Sequence, residues 1–177
     1  MRKHALSGSA RTVTVERLET PAGALLIGDS DGALVFIDRE SGKHGSSARV
    51  LSKAGLRAVP GSTPLTRRAS SELREYFEGK RKSFDLPLLP IGSDFEKTVW
   101  QELGRVPWGA TTTYGEIARG IGKPKAAHAV GAAVGRNPFA IVIPCHRVLG
   151  KDGGLTGYDG GLAAKALLLR LEGVLPA

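Results

Sequence analysis

The chain has 177 residues, 41% of them hydrophobic and 24% charged, enough for one ordinary domain or two small ones and against wholesale disorder. No apolar run approaches the ~20 residues that span a bilayer, the basic start MRKHALSGSARTVTV lacks a secretory apolar stretch, and the single cysteine excludes an internal disulfide or multi-cysteine zinc site, so a soluble cytoplasmic protein is expected. Lys and Arg number 25 against 17 Asp and Glu, a net charge of +8 that favours polyanionic partners, nucleic acid among them.

Residues 1–11 read as a tail. In TVTVERLETPAGALLIGDSDGALVFIDRE three apolar runs (from Val13 and Val15, Ala24–Ile27 and Leu34–Ile37) are separated by the turn sequences TPAG and GDSDG, which predicts an antiparallel meander. Residues 41–62 are rich in Gly, Ser and basic side chains with weak periodicity and read as loop with a fragment of structure. Thr63-Pro64 is a helix entry. Leu65, Ala69, Leu73, Tyr76 and Phe77 then recur at helical spacing up to Gly79.

KRKSFDLPLLPIG, residues 80–92, reads as a Pro-punctuated linker between an N-terminal domain over 12–79 and a C-terminal domain over 93–177. Ser93 and Glu96 form a capping box opening a helix whose apolar face is Phe95, Val99, Trp100 and Leu103. Thr113 and Glu116 form another, for a helix through Arg119. Gly120 and Gly122 break it, and Lys125–Gly135 is a helix of small residues. Two helices across a tight glycine turn make a helix-turn-helix, flanked by Arg119, Lys123, Lys125 and Arg136 with Glu116 the nearby acid. AIVI, residues 140–143, reads as a short buried strand or extended run into Pro144-Cys145. KDGGLTGYDGG is a glycine-rich loop, either plain surface or a pocket wall offering Tyr158, and it lacks the pattern of a phosphate cradle. Leu162–Glu172 is a last helix with Leu167, Leu168 and Leu171 inward. The fold class is α+β in two small domains: an antiparallel sheet with a helix, then a mostly helical domain.

The cysteine raises the chemical question. A lone cysteine is usually a small buried hydrophobe; a thiolate nucleophile needs a base or positive charge beside it. His146 is adjacent, but neighbours on an extended strand face opposite ways, so contact requires a turn or a bridging water. Glu172 could orient the imidazole and complete a thiol, base and carboxylate arrangement. On these residues alone, an inert packing cysteine, a cysteine hydrolase and a nucleophile for less common chemistry all stay open, beside a nucleic-acid-binding helix-turn-helix.

PCHRV at 144–148, followed by GKDGGLTGYDGG and LLLRLEG, resembles the signature of the O6-alkylguanine-DNA alkyltransferases, the methylated-DNA–protein-cysteine methyltransferases. The resemblance runs continuously from Phe95 through FEKTVWQELGRVPWGATTTYGEIARGIGKPKAAHAVGAAVGRNP. TPAGALLIGDSDGALVF and LREYFEGKRKSFDLPL are similar to the family's more variable first half, which implies a ribonuclease-H-like N-terminal fold. The resemblance implies direct-reversal DNA repair. O6-alkylguanine is flipped out of duplex DNA, and its alkyl group passes irreversibly to Cys145. The thioether product makes the protein single-use, and the family needs neither metal nor organic cofactor.

Carried over residue by residue, His146 takes the cysteine proton through a water, Glu172 orients that histidine, and Asn137 holds the turn presenting the site. Tyr114 donates towards the guanine ring. The backbone carbonyls of Cys145 and Val148 accept from the exocyclic amine, Tyr158 packs on the base, the Asp159 backbone N–H faces O6, and Lys165 lines the same region. The second helix of the helix-turn-helix docks in the minor groove, where Ala126, Ala127, Ala129 and Gly131 permit close approach. Lys123, Lys125 and Lys151 meet phosphates, with Thr113 and Arg136 on the same face. A monomer is expected, with cooperation along DNA left open.

Two positions depart from the family pattern. His128 stands where an arginine usually fills the gap left by the flipped base, and imidazole is shorter and mostly neutral near pH 7. Asp159 stands where a small residue is usual. Some relatives carry zinc in the N-terminal domain, but with Cys145 as the only cysteine those ligands are absent and no metal is expected.

Overall fold

The computed structural model describes residues 11–42 and 45–176; the expected tail at 1–11 lies outside the described residues except for Arg11. The three apolar runs form β1 (Thr12–Leu18), β2 (Leu25–Ser30) and β3 (Ala33–Arg39), an antiparallel meander. The expectation for 41–62 was too poor in structure. This stretch holds a nine-residue helix, α1 (Ser46–Ala54), and a strand, β4 (Arg57–Pro60), that pairs parallel with β1. The sheet order is therefore β3-β2-β1-β4, with α1 serving as part of the long crossover that a parallel partner needs.

Helix α2 (Pro64–Phe77) starts at Thr63, whose hydroxyl accepts from the Thr66 N–H while the Thr66 hydroxyl accepts from the Thr63 N–H. It lays Ala69, Leu73 and Tyr76 on the sheet. The Pro-punctuated segment does not hang free. The Leu34 N–H donates to the Pro87 carbonyl at 2.8 Å, and the Leu89 N–H donates to the Leu34 carbonyl at 2.8 Å, so this segment covers part of the β3 edge.

The second half builds a helical cluster. Helix α3 (Asp94–Leu103) opens on the Ser93–Glu96 capping box, and α4 (Tyr114–Gly120) on the Thr113–Glu116 box. Helix α5 spans Ala127–Gly135, two residues later than expected, because Lys123–Ala126 close a turn of their own with the Ala126 N–H on the Lys123 carbonyl. Val99, Leu103, Ile117, Val130, Ala133 and Val134 make the core between these helices, and the Trp100 indole N–H donates to the Ala133 carbonyl at 2.8 Å. Thr112–Thr113 (β5) pairs parallel with Val148–Leu149 (β6). Helix α6 (Gly161–Leu171) closes the fold; Leu168 and Leu169 are its fully buried leucines, while Leu167 and Leu171 are half-buried against the same core.

The two halves share one core. Leu25, Ile27, Leu34, Ile37, Leu73 and Tyr76 pack with Phe139, Ile141 and Leu168. The rest of the β3 edge is taken by the segment before the cysteine, with the Ile37 N–H on the Pro138 carbonyl at 2.8 Å and the Ala140 N–H on the Ile37 carbonyl at 2.7 Å.

Candidate active site

The residues before Cys145 turn rather than extend. AIVI was read as a strand or extended run; instead the Ile143 N–H returns to the Phe139 carbonyl at 2.9 Å and the Val142 N–H to the Ala140 carbonyl at 2.8 Å. Asn137 explains why. Its amide N–H donates to the Ile143 carbonyl at 2.7 Å and the Phe139 carbonyl at 3.3 Å, and its oxygen accepts from the Phe139 N–H at 3.0 Å. One buried side chain thus satisfies three backbone groups that a strand ladder would otherwise have to pair. The turn forces Ile141 to φ +71°, a costly conformation for a β-branched residue, held by its burial in the shared core.

Pro144 then leads into a single 3₁₀ turn, Cys145–Arg147, so Cys145 and His146 are not on opposite faces of a strand. Cys145 opens onto a pocket of about 170 Å³ whose wall includes Tyr114, Gly131, Asn137, Tyr158, Asp159 and, from β3, Asp38 and Arg39. Burial pushes its thiol up, partly offset by the Asn137 amide and the Lys165 ammonium. His146 is fully buried on the other side of the turn. Its Nε2 lies 2.7 Å from Oε1 of Glu172, while Nδ1 has no hydrogen-bond partner among the described residues.

Glu172 is the hub behind the pocket. Oε1 also accepts from the Tyr76 hydroxyl at 2.7 Å and from Arg147 Nη2 at 2.9 Å, and Oε2 accepts from Arg147 Nε at 2.8 Å. Burial works to raise this carboxyl, but the bonds from His146, Arg147 and Tyr76 override it and hold it down to about 2. An ionised acceptor at 2.7 Å puts the proton on Nε2 and leaves the Nδ1 lone pair available. Burial pushes His146 down and Glu172 pulls it partly back up. Tyr76 and Arg147 were missed as site residues in the sequence. Tyr76 reads as one more apolar position of α2, and the motif gives Arg147 no stated task.

Lys165 is fully buried, and its ammonium donates to the Val148 carbonyl at 2.5 Å and the Thr156 carbonyl at 2.6 Å. Burial pushes its pKa down, with the sulfur of Cys145 acting the other way. The Val148 carbonyl, expected to accept from a guanine amine, is thus already an acceptor for Lys165; its second lone pair is what remains.

The glycine-rich loop is a pocket wall. Arg39 of β3 stacks its guanidinium over the Tyr158 ring at 5.9 Å, donates to the Ala22 carbonyl, and lies so close to Gly160 that a Cβ there would fall 2.2 Å from Nε. Burial pushes the Tyr158 hydroxyl up. Asp159 lines the pocket and its carboxylate reaches to Gly42.

The remaining expected residues sit on the outer face beside the pocket. Thr113, Ala127 and Lys151 line a groove of about 600 Å³ with Tyr114, Glu116 and Arg119. On α5, His128 and Ala129 are exposed, Ala127 is half-buried, and a Cβ on Gly131 would lie 3.7 Å from the Tyr114 ring. Lys123 and Lys125 flank the turn before Ala126. Arg136 is set apart from them, 3.5 Å from Glu96, which also pairs with Arg49 at 3.0 Å. Among the described residues no cluster of three or more His, Cys, Asp or Glu could hold a metal ion, and no helix is long and apolar enough to cross a membrane.

Comparison with known proteins places this architecture. Residues 13–90 match the family model described as the ribonuclease-like domain of 6-O-methylguanine DNA methyltransferase, and residues 94–174 match its DNA-binding domain. A methylated-DNA–protein-cysteine methyltransferase of Methanosarcina acetivorans is 45% identical over 159 residues, 88% of this chain and 95% of its own. The constitutive enzyme of that name from Bacillus subtilis is 40% identical over 87% of this chain and 92% of its own. The crystal structure of Mycobacterium tuberculosis OGT in complex with DNA superposes with a TM-score of 0.77 at 38% identity, covering 91% of this chain and 92% of that one. The chain belongs to the 6-O-methylguanine DNA methyltransferase family.

Proposed function

We infer that the protein repairs DNA by direct reversal, as a methylated-DNA–protein-cysteine methyltransferase that moves an alkyl group from O6 of guanine to Cys145. The observation that carries the reading is a single cysteine opening onto a small pocket, with a buried histidine and ionised carboxylate directly behind it. O6 of a stacked guanine is out of reach of such a recessed sulfur, so the nucleotide is extruded into the pocket.

In the pocket the thiol of Cys145 loses its proton towards Nδ1 of His146, through a water. The resulting imidazolium is stabilised by Glu172. The sulfur attacks the alkyl carbon, the S–C bond forms, and the C–O6 bond breaks with its electron pair going to the base. Tyr114 supplies a proton to the ring, which leaves as guanine. Asn137 holds the turn, Tyr158 packs on the base, and the Asp159 N–H and the Cys145 and Val148 carbonyls meet the guanine edge. The thioether carries no carbonyl for water to attack, so each molecule acts once.

Helix α5 enters the minor groove along Ala127, Ala129 and Gly131, with Ala126 just before it, where small side chains let the backbone approach. His128 takes the place of the extruded base, and Lys123, Lys125 and Lys151 meet phosphates without reading sequence. The protein acts as a monomer.

The test is an intact-mass measurement after mixing the protein with one equivalent of O6-methylguanine duplex. Wild type gains one methyl group and stops at one equivalent, and Cys145→Ser gains none. A protein that binds the duplex without gaining mass is a sensor, and the transfer reading is then wrong.

A further inference from the structure

Tyr76 reaches from α2, in the N-terminal half, into the His146–Glu172 pair. Its ring is fully buried among Phe77, Phe84 and Trp108, with centroids 5.4, 5.8 and 5.2 Å away. Phenylalanine would serve that packing as well. What phenylalanine lacks is the hydroxyl, which donates to Oε1 of Glu172 at 2.7 Å and lies 3.5 Å from Nε2 of His146. A buried phenol needs a partner, but this partner is an unusual one. Oε1 is also the oxygen that faces His146 Nε2 at 2.7 Å and Arg147 Nη2 at 2.9 Å. Three donors on one carboxylate oxygen share its lone pairs, so the hold that Tyr76 takes is a hold the imidazole gives up.

We propose that Tyr76 is a positioning residue for alkyl transfer: its hydroxyl anchors Glu172 so that His146 is held by Nε2 with Nδ1 open towards Cys145, and it moderates the pull of the carboxylate on the imidazolium. The N-terminal half thereby sets the proton acceptor of the C-terminal half. The inference rests on the alkyl-transfer reading for its rate measurement alone.

The groups facing His146 are Glu172 at the end of α6, Lys165 from within α6, Arg147 and Cys145 from its own turn, and Tyr76 from α2. Burial, Arg147 and Lys165 disfavour its charged form, and Glu172 favours it. Deleting the Tyr76 hydroxyl removes one competitor for Oε1, so more of the carboxylate charge falls to the imidazole. The protonated form gains, and the His146 titration moves to higher pH.

The experiment uses the full chain, Tyr76→Phe and, as a packing control, Trp108→Phe. The His146 imidazole is titrated by NMR with labelled histidine, its signal assigned by loss in His146→Asn. Single-turnover methyl transfer from O6-methylguanine duplex is followed over the same pH range, along with duplex affinity. In Tyr76→Phe the titration and the acid limb of the rate move up together by about half a pH unit, a roughly threefold change in proton affinity, with duplex affinity unchanged; Trp108→Phe moves neither. An unchanged His146 titration in Tyr76→Phe overturns the proposal, and so does an equal shift in Trp108→Phe, which would make the effect one of packing. Should Tyr76→Phe not fold, 3-fluorotyrosine placed at position 76, a stronger donor of nearly the same shape, must move the titration down; no movement overturns the proposal. If wild type gains no methyl group, the alkyl-transfer reading fails, and the titration still decides the role of Tyr76.

Discussion

Cys145 rests as a thiol at neutral pH, because burial pushes its pKa up further than Asn137 and Lys165 pull it down. On the alkyl-transfer reading, activation therefore belongs to the loaded pocket, where base and alkyl group displace solvent and His146 takes the proton. Without DNA, the single cysteine should react with iodoacetamide at pH 7 more slowly than a free cysteine thiol. Intact mass against time measures this directly, and faster labelling would contradict it. Glu172 carries a different kind of prediction. Its carboxyl is held at about 2 in the fold against 4.5 as the ordinary value. A depressed carboxyl stabilises the fold fully above the unfolded value and loses that contribution as pH falls through the folded one. The 2–4.5 window is worth on the order of 3 kcal/mol. Glu172→Gln strands the buried Arg147 guanidinium and should cost about 3–5 kcal/mol in urea unfolding at pH 7. The gap between wild type and variant should narrow by about 2 kcal/mol at pH 3. A pH-independent gap would mean that the charge of Glu172 contributes little.

Elements whose signals are local were legible in the sequence. The capping boxes at Ser93 and Thr113 and the Thr63-Pro64 entry marked three helix starts that the structure reproduces to the residue. Helix α1 and strand β4 escaped because nothing local announces them. The helix begins after Gly45 at φ +53° with no side-chain cap, and β4 is four mostly exposed residues whose partner strand lies 45 positions earlier, Thr12 beside Arg57. AIVI misled because a run of β-branched residues normally extends, and here Asn137 overrides that preference. Adjacency alone leaves contact between Cys145 and His146 open, and only the resemblance of PCHRV and its flanks gives the pair a role. The hydroxyl of Tyr76, 96 positions from Glu172, and the guanidinium of Arg39 over Tyr158 could not be read from the sequence, because periodicity reports burial and not what a polar tip touches. Helix α5 carries the functional consequence. On the proposed base-extrusion reading, His128, exposed on this helix in place of the family arginine, stabilises an extruded base more weakly. Wild type should repair duplex more slowly than His128→Arg, by about tenfold for a difference near 1.4 kcal/mol, with a smaller gap on single strands. Equal gains on both substrates would remove base replacement from the role of His128.

Across the whole molecule the +8 charge is not spread evenly in its effect. In the N-terminal half and the segment after α2 several cations are answered by acids: Arg17 by Glu19 and Glu40, Lys80 by Glu78, Arg81 by Glu72 and Glu75. Lys123 and Lys125 are exposed just before α5, beside its small-residue edge, and Lys151 is exposed on the groove lined by Tyr114 and Ala127. Charges already paired within the protein release few counterions when DNA arrives, whereas lysines that meet phosphates release about 0.9 per phosphate neutralised. Measured as log affinity against log salt on unmodified duplex, Lys123→Ala with Lys125→Ala should therefore reduce the magnitude of the slope by about 2. Lys80→Ala with Arg81→Ala, an equal change in net charge, should leave the slope nearly unaltered. If the two double variants lowered it equally, binding would follow net charge alone and the α5 face would have no special claim to the phosphates. If only the first pair lowers it, the contact face is the one that also presents Cys145, and search and chemistry share a single side of the molecule.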